Sequence, residues 1–179
     1  MVQLIELGNR VLLGILQYFV RNPLSRITYT NLRNKLKIAK ATITKHLNFL
    51  LENEFIKVEK IGLNKIYFLN TENFIVKQLK ILDNLLLLNE IKILGKKYEV
   101  EIFLYGSAAR GEDTEKSDID LLIIGKVNKE TIIQDIEKIS KRIEREIKFT
   151  IFTPLEWSGV ARKDVPFYER VEKDKIRLY

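Results

Sequence analysis

Between an apolar run that ends at Tyr105 and another that starts at Ile119, the chain places Gly106-Ser107, then Arg110-Gly111, then Ser117-Asp118, with Asp120 one residue inside the second run. This stretch constrains the fold more than any other. An apolar strand must run into a tight Gly-Ser turn, a short helical turn and a polar loop must follow, and a second strand must then open with two carboxylates. Alternate residues of a strand share a face, so Asp118 and Asp120 point the same way. Two carboxylates held side by side repel one another, and a divalent cation relieves that repulsion. The Gly106-Ser107 turn adds backbone N–H groups near a helix start and a hydroxyl, both suited to phosphate oxygens. The combination points to a magnesium–nucleotide site.

The ordered set Gly106, Ser107, Arg110, Gly111, Ser117, Asp118 and Asp120, backed by Leu121 to Ile124 as a buried strand, resembles the signature of the nucleotidyltransferase superfamily, the DNA polymerase beta-like group, and specifically its minimal members. The resemblance implies a mixed β-sheet flanked by helices. It implies that Ser107 and the Gly106 backbone hold a nucleoside triphosphate, ATP being the expected one, while Asp118 and Asp120 coordinate Mg²⁺ and serve as the catalytic carboxylates. Arg110 would brace the loop through a carboxylate or reach a phosphate. The reaction implied is transfer of a nucleoside monophosphate to an acceptor hydroxyl, with pyrophosphate leaving.

Catalytic members of that superfamily carry a third carboxylate on a later strand, thought to activate the acceptor. A hydroxyl is a weak nucleophile until its proton has somewhere to go. Here the matching stretch is Phe149 to Pro154, and Thr150 stands at the carboxylate's place. Alternation puts Glu146, Lys148, Thr150 and Phe152 on one face and Ile147, Phe149 and Ile151 on the other. Lys148 could neutralise phosphate charge on the Thr150 face. Glu146 lies two strand steps, roughly 13 Å, from Thr150 and is a poor substitute base, while Glu156 could fold back from beyond the strand. Positioning and metal electrostatics carry most of such a transfer, so the missing base lowers the expectation of turnover without removing it.

Charge divides the chain. Residues 1–70 hold 11 Lys and Arg against 4 Asp and Glu, whereas residues 71–179 hold 20 of each, so the whole net charge of +7 sits in the first part. Such asymmetry points to two functional units, the first meeting a polyanion. With no cysteine there is no disulfide framework or thiolate metal site. The apolar runs are interrupted well short of a membrane span. Met1 to Val20 has Glu6 ahead of its apolar part and no small-residue cleavage site after it, so a cytoplasmic protein is expected.

In the basic part, Val11, Leu12, Ile15, Leu16, Phe19 and Val20 recur at helical spacing within a helix expected over Leu7 to Val20, ending near Asn22-Pro23. A short helix is expected from Thr30 to Leu36, a turn at Lys37 to Ala39, and a longer helix from Lys40 to Glu52. Ile43, Leu47, Leu50 and Leu51 would be buried in the last helix, leaving Lys40, Ala41, Thr44, Lys45 and Asn48 outward. Two strand-like runs, Phe55 to Lys60 and Lys65 to Leu69, flank a hairpin signal at Ile61 to Asn64. This arrangement resembles a winged helix-turn-helix regulator. The resemblance implies that double-stranded DNA meets Lys40, Thr44 and Lys45 in the major groove, with Lys60 and Lys65 of the wing on phosphate. The single histidine, His46, is expected on an exposed face, at the surface or against phosphate.

The expected fold is α+β: a winged helix-turn-helix over residues 1–70, a connecting helical segment over 71–97 and a nucleotidyltransferase-type mixed sheet flanked by helices over 98–179. Asn73 to Leu94 is apolar on more than one stripe, wider than one core needs, so it is expected to pack on the transferase sheet and also on the winged helix or a second subunit; the winged-helix resemblance implies a homodimer, since such regulators commonly read two half-sites as dimers. Near the end a short helix is expected over Pro166 to Glu172 and an extended segment over Lys175 to Tyr179. Trp157, Phe167 and Tyr168 could line a base pocket, though packing is the commoner use of such aromatics. Three functions follow: nucleotidylation of a protein acceptor such as a toxin partner, a transcription regulator whose degenerate transferase domain senses nucleotide, or an antitoxin-like repressor that binds a protein partner.

Overall fold

The computed structural model describes residues 8–179; the expected helix start at Leu7 and the first seven residues of the Met1–Val20 segment lie outside them. The chain divides into two compact units, Met1–Leu79 and Lys80–Tyr179, and the protein is a mixture of helices and sheets.

In the first unit, α1 (Arg10–Arg21) begins where the Asn9 side chain accepts hydrogen bonds from the Val11 and Leu12 N–H groups. These are donors that a helix start otherwise leaves unsatisfied. Strand β1 (Ile27–Thr28) passes directly into α2 (Tyr29–Leu36), capped by the Thr28 hydroxyl, and the helix stops where Lys37 takes a left-handed conformation. Helix α3 (Lys40–Glu52) follows, and strands β2 (Ile56–Ile61) and β3 (Asn64–Leu69) pair antiparallel across a turn in which Gly62 has φ +60°. The sheet order is β1-β3-β2. Leu12, Ile15, Leu16 and Phe19 meet Leu32, Ile43, Leu47, Leu50 and Phe55 in its core.

His46 departs from expectation. It is only 7 % exposed. Burial, and then the neighbouring Lys45, hold its pKa below the ordinary imidazole value. One residue before Leu47 on α3, it lies at the edge of the inward stripe, so a buried residue replaces the expected surface group.

The apolar segment Asn73 to Leu94 forms two helices, α4 (Phe74–Leu87) and α5 (Ile91–Tyr98), separated by a turn at residues 88–90. The second unit then runs β4 (Glu101–Tyr105), α6 (Gly106–Arg110), β5 (Ile119–Ile124), α7 (Lys129–Ile143), β6 (Ile147–Phe152), α8 (Pro154–Lys163), α9 (Val165–Asp174) and β7 (Ile176–Arg177). The sheet is mixed, in the order β6-β5-β4-β7, with β5 and β6 parallel and the other pairs antiparallel. The parallel pair needs a crossover, which α7 supplies.

Strand β5 is buried on both faces, which explains its unbroken apolar sequence. Leu121 and Ile123 face a core that includes Leu94, Ile102, Leu104, Ile132 and Ile136. Leu122 and Ile124 face the opposite core of Phe103, Trp157 and Val171. Asp118 and Asp120 share the parity of Leu122, so they emerge on the α8/α9 side where β5 begins. Among the described residues no helix is long and apolar enough to cross a membrane.

Candidate functional site

Antiparallel pairing sets Tyr105, the last residue of β4, opposite Asp120, so the chain leaving β4 must turn beside the carboxylate pair. Gly106 makes that turn with φ +75°, and a Cβ there would lie 2.6 Å from Asp120 Oδ2. Only glycine combines this dihedral with so close an approach. The consequence is direct: the backbone of the Gly106-Ser107 turn lies against one of the two carboxylates. Helix α6 closes at Gly111, φ +65°, and the Glu112 N–H donates to the Ser107 carbonyl at 2.9 Å. The following loop folds on itself, the Ser117 hydroxyl accepting from the Thr114 N–H at 2.9 Å.

Parallel pairing brings Lys148 opposite Asp120 and Thr150 opposite Leu122. The Lys148 ammonium lies 2.5 Å from Asp118 Oδ2. Burial, and then the charge of Asp118, push the Asp120 carboxyl above the ordinary range, against Lys148, Arg170 and Arg110. Burial, and then the Asp120 charge, raise the pKa of the Tyr105 phenol. The position expected to hold a third carboxylate carries the Thr150 hydroxyl, opposite Leu122.

Neither acidic substitute reaches that position. Glu156 accepts from both the N–H and the hydroxyl of Thr153 at 2.7 and 2.8 Å, closing a capping box at the start of α8. Glu146 is exposed, and its carbonyl receives the Ile119 N–H at 2.8 Å. Arg110 donates to Glu112 and to Asp174 on α9 at 2.9 Å each. Trp157, Phe167 and Tyr168 pack together, with ring centroids 5.1 to 6.1 Å from Trp157, and Trp157 is buried. They serve the core beneath the site.

The donor set fits a magnesium ion. Two hard carboxylates share a face, one of them held against backbone, and among the described residues no cluster of three or more His, Cys, Asp or Glu could hold a metal. Magnesium binds through one or two carboxylates and completes its shell with water and substrate phosphates. Asp118 and Asp120 would hold it. The sequence pattern alone gave no sign of Tyr105 or Arg170. Tyr105 becomes visible only through the β4–β5 register, and Arg170 only when α9 is placed.

In the first unit, Lys40, Thr44 and Lys45 are exposed together on α3. The Thr44 hydroxyl donates to the Lys40 carbonyl at 2.9 Å and lies 3.3 Å from the Tyr29 hydroxyl. Lys60 and Lys65 are paired opposite each other near the hairpin tip, both exposed. An open cleft of about 460 Å³ beside α3 is lined by Arg33, Asn34, Lys37, Ile38, Ala39 and Lys40.

A family model described as nucleotidyltransferase domain matches residues 87–178, just over half of the chain. Among solved structures, the chain is similar to one described as a toxin-antitoxin with AMP-PNP, at 16% identity over 51% of this chain and 71% of that one, TM-score 0.39. It is also similar to a Sulfolobus solfataricus protein assigned as a nucleotidyltransferase, at 24% identity over 56% and 84% of the two chains, TM-score 0.34. Likenesses this distant carry no argument about function. No curated protein matches the chain. The family match covers the sheet, the Gly106-Ser107 turn and both aspartates, and the chain therefore belongs to the nucleotidyltransferase domain family.

Proposed function

We propose that the second unit binds a magnesium–nucleoside triphosphate, ATP being the expected nucleotide, and transfers its nucleoside monophosphate to an acceptor hydroxyl. The observation that carries this reading is the close approach of Gly106 to Asp120, which joins a phosphate-binding turn to a cation-binding pair in one small site. Ser107 and neighbouring backbone N–H groups would hold phosphate oxygens; Asp118 and Asp120 would fix the cation. When bound, that cation would neutralise the triphosphate and polarise the transferred phosphorus. The acceptor oxygen forms a bond to the α-phosphorus as the α–β bridging bond breaks, and pyrophosphate departs with the electron pair. The acceptor proton passes to solvent, because no carboxylate stands at Thr150. Lys148 and Arg170 supply positive charge beside the carboxylates.

A second reading is favoured by one observation, a threonine, Thr150, where a base is expected. In it, nucleotide is bound and sensed rather than consumed. The first unit would be a winged helix-turn-helix in either case, with double-stranded DNA meeting Lys40, Thr44 and Lys45 of α3 and Lys60 and Lys65 of the hairpin. The excess positive charge of residues 1–70 and the basic cleft around Arg33, Lys37 and Lys40 support this assignment. Exposed Leu82, Leu86 and Ile93 support an interface with a second copy or a protein acceptor.

Incubation with α-³²P-ATP, Mg²⁺ and cell extract separates the readings. Label on a macromolecule, lost in Asp120→Ala, supports transfer. Saturable binding of a non-hydrolysable analogue without label supports sensing, and absence of both refutes the nucleotide site.

A further inference from the structure

Among the polar residues buried in helix α4, Lys80 is 3 % exposed and Asn84 is 4 % exposed. Both are buried against Asp113, itself 5 % exposed, in the loop between Ser107 and Asp118. Burying a charge is costly unless it is paired, and here the pairing is extensive. The Lys80 ammonium donates to the Asp113 carbonyl and lies 3.4 Å from its carboxylate. Asn84 Nδ2 donates to Asp113 Oδ1 at 3.1 Å, and Arg145, just before β6, donates to Asp113 Oδ2 at 2.8 Å and to Asn84 Oδ1 at 3.2 Å.

Two further bonds give this cluster a direction. Asn84 Nδ2 also donates to the carbonyl of Ala108, the residue after Ser107, at 3.1 Å. Arg145 grips the carbonyl of Ser117, the residue before Asp118, through Nη2 at 2.8 Å and Nε at 3.2 Å. The cluster thus ties the backbone beside the phosphate-binding serine to the backbone beside the first carboxylate.

We propose that Lys80, Asn84, Asp113 and Arg145 are positioning residues that hold Ser107 and Asp118 in register for a metal-bound triphosphate. This rests on the nucleotide reading above. Lys80 and Asn84 precede the family match at residues 87–178, so the working site extends upstream of it. A rigid shell behind the ligands matters because misplacement of a ligand by about 1 Å forfeits most of its effect.

The test uses the full chain carrying Arg145→Met, Arg145→Lys or Asn84→Ala, with the core variant Ile136→Val as a stability control. Isothermal titration with a non-hydrolysable ATP analogue and Mg²⁺ is paired with hydrogen exchange across residues 112–118. The expected result is an affinity loss of about 10- to 100-fold, typical of groups that orient ligands from behind, with faster exchange in the loop. Arg145→Lys should recover part of the affinity, since a cationic donor group remains in place of the guanidinium fork. Affinity that falls only in proportion to stability, as in the Ile136→Val control, overturns the proposal, as does unchanged affinity in the folded Asn84→Ala chain. Failure of the unaltered protein to bind the analogue refutes the nucleotide site itself, and the proposal with it.

Discussion

Replacing Gly106 with alanine puts the smallest side chain at the point where backbone and carboxylate meet. Its φ of +75° lies in the left-handed region, which costs an L-residue about 1–2 kcal/mol. The new Cβ would sit 2.6 Å from Asp120 Oδ2, whereas ordinary van der Waals separation begins at 3.4 Å, so the carboxylate must retreat by most of that difference. Ligand groups work only within about 0.5 Å of their proper positions, so the variant should lose affinity for the metal-bound analogue by about tenfold or more, equivalent to about 1.4 kcal/mol. Urea unfolding followed through the buried Trp157, the sole tryptophan, reads the stability loss in the second unit. Gly14→Ala is the contrast: open space surrounds that position in α1, and an exposed helix interior gains about 1 kcal/mol from the change. A Gly106→Ala protein with unaltered stability and unaltered analogue affinity would refute the claim that this close approach builds the site.

Asp120→Asn should abolish metal binding yet stabilise the metal-free protein at neutral pH. Because the folded chain raises the Asp120 pKa, it binds that proton more tightly than the unfolded chain does. The associated stability is present in acid and lost as pH rises through the folded pKa. The advantage of the variant should therefore vanish well below the ordinary value of 3.8, and equal stability at neutral pH would contradict the assignment. Lys148→Met removes the ammonium that neutralises Asp118, so Mn²⁺ binding read by electron paramagnetic resonance should strengthen severalfold, and weaker binding would show that Lys148 assists the cation. Lys60→Ala with Lys65→Ala should reduce the slope of log affinity against log salt for duplex DNA by about 0.9 for each phosphate that the hairpin no longer neutralises; an unchanged slope would remove the hairpin from the DNA surface.

The parts of the fold legible in the sequence are those set by local periodicity. Helix α3, the hairpin at Gly62 and the alternation of β6 all follow from spacing within a few residues, as does the shared face of Asp118 and Asp120. Helix α8 was hidden because Pro154 reads as the end of a strand until the reciprocal Thr153–Glu156 cap is recognised as a helix start. His46 misled because its burial depends on what packs beside α3, which no local pattern encodes. The partners of Asp113 lie 29 to 33 residues away in sequence, and only the folded chain brings them together. Arg110 could have met a phosphate or a carboxylate on sequence grounds. In the folded chain its guanidinium donates to Asp174 on α9, a partner 64 residues away that no local pattern could name.

The central claim is that Ser107, Asp118 and Asp120 form one site for a metal-bound triphosphate. Isothermal titration of the full chain with a non-hydrolysable ATP analogue, with and without Mg²⁺, tests it most directly. The account predicts one analogue bound per chain, with binding lost when Mg²⁺ is chelated and when Asp118 or Asp120 is changed to asparagine. Binding indifferent to Mg²⁺ and to both aspartates, or no binding at all, would contradict it.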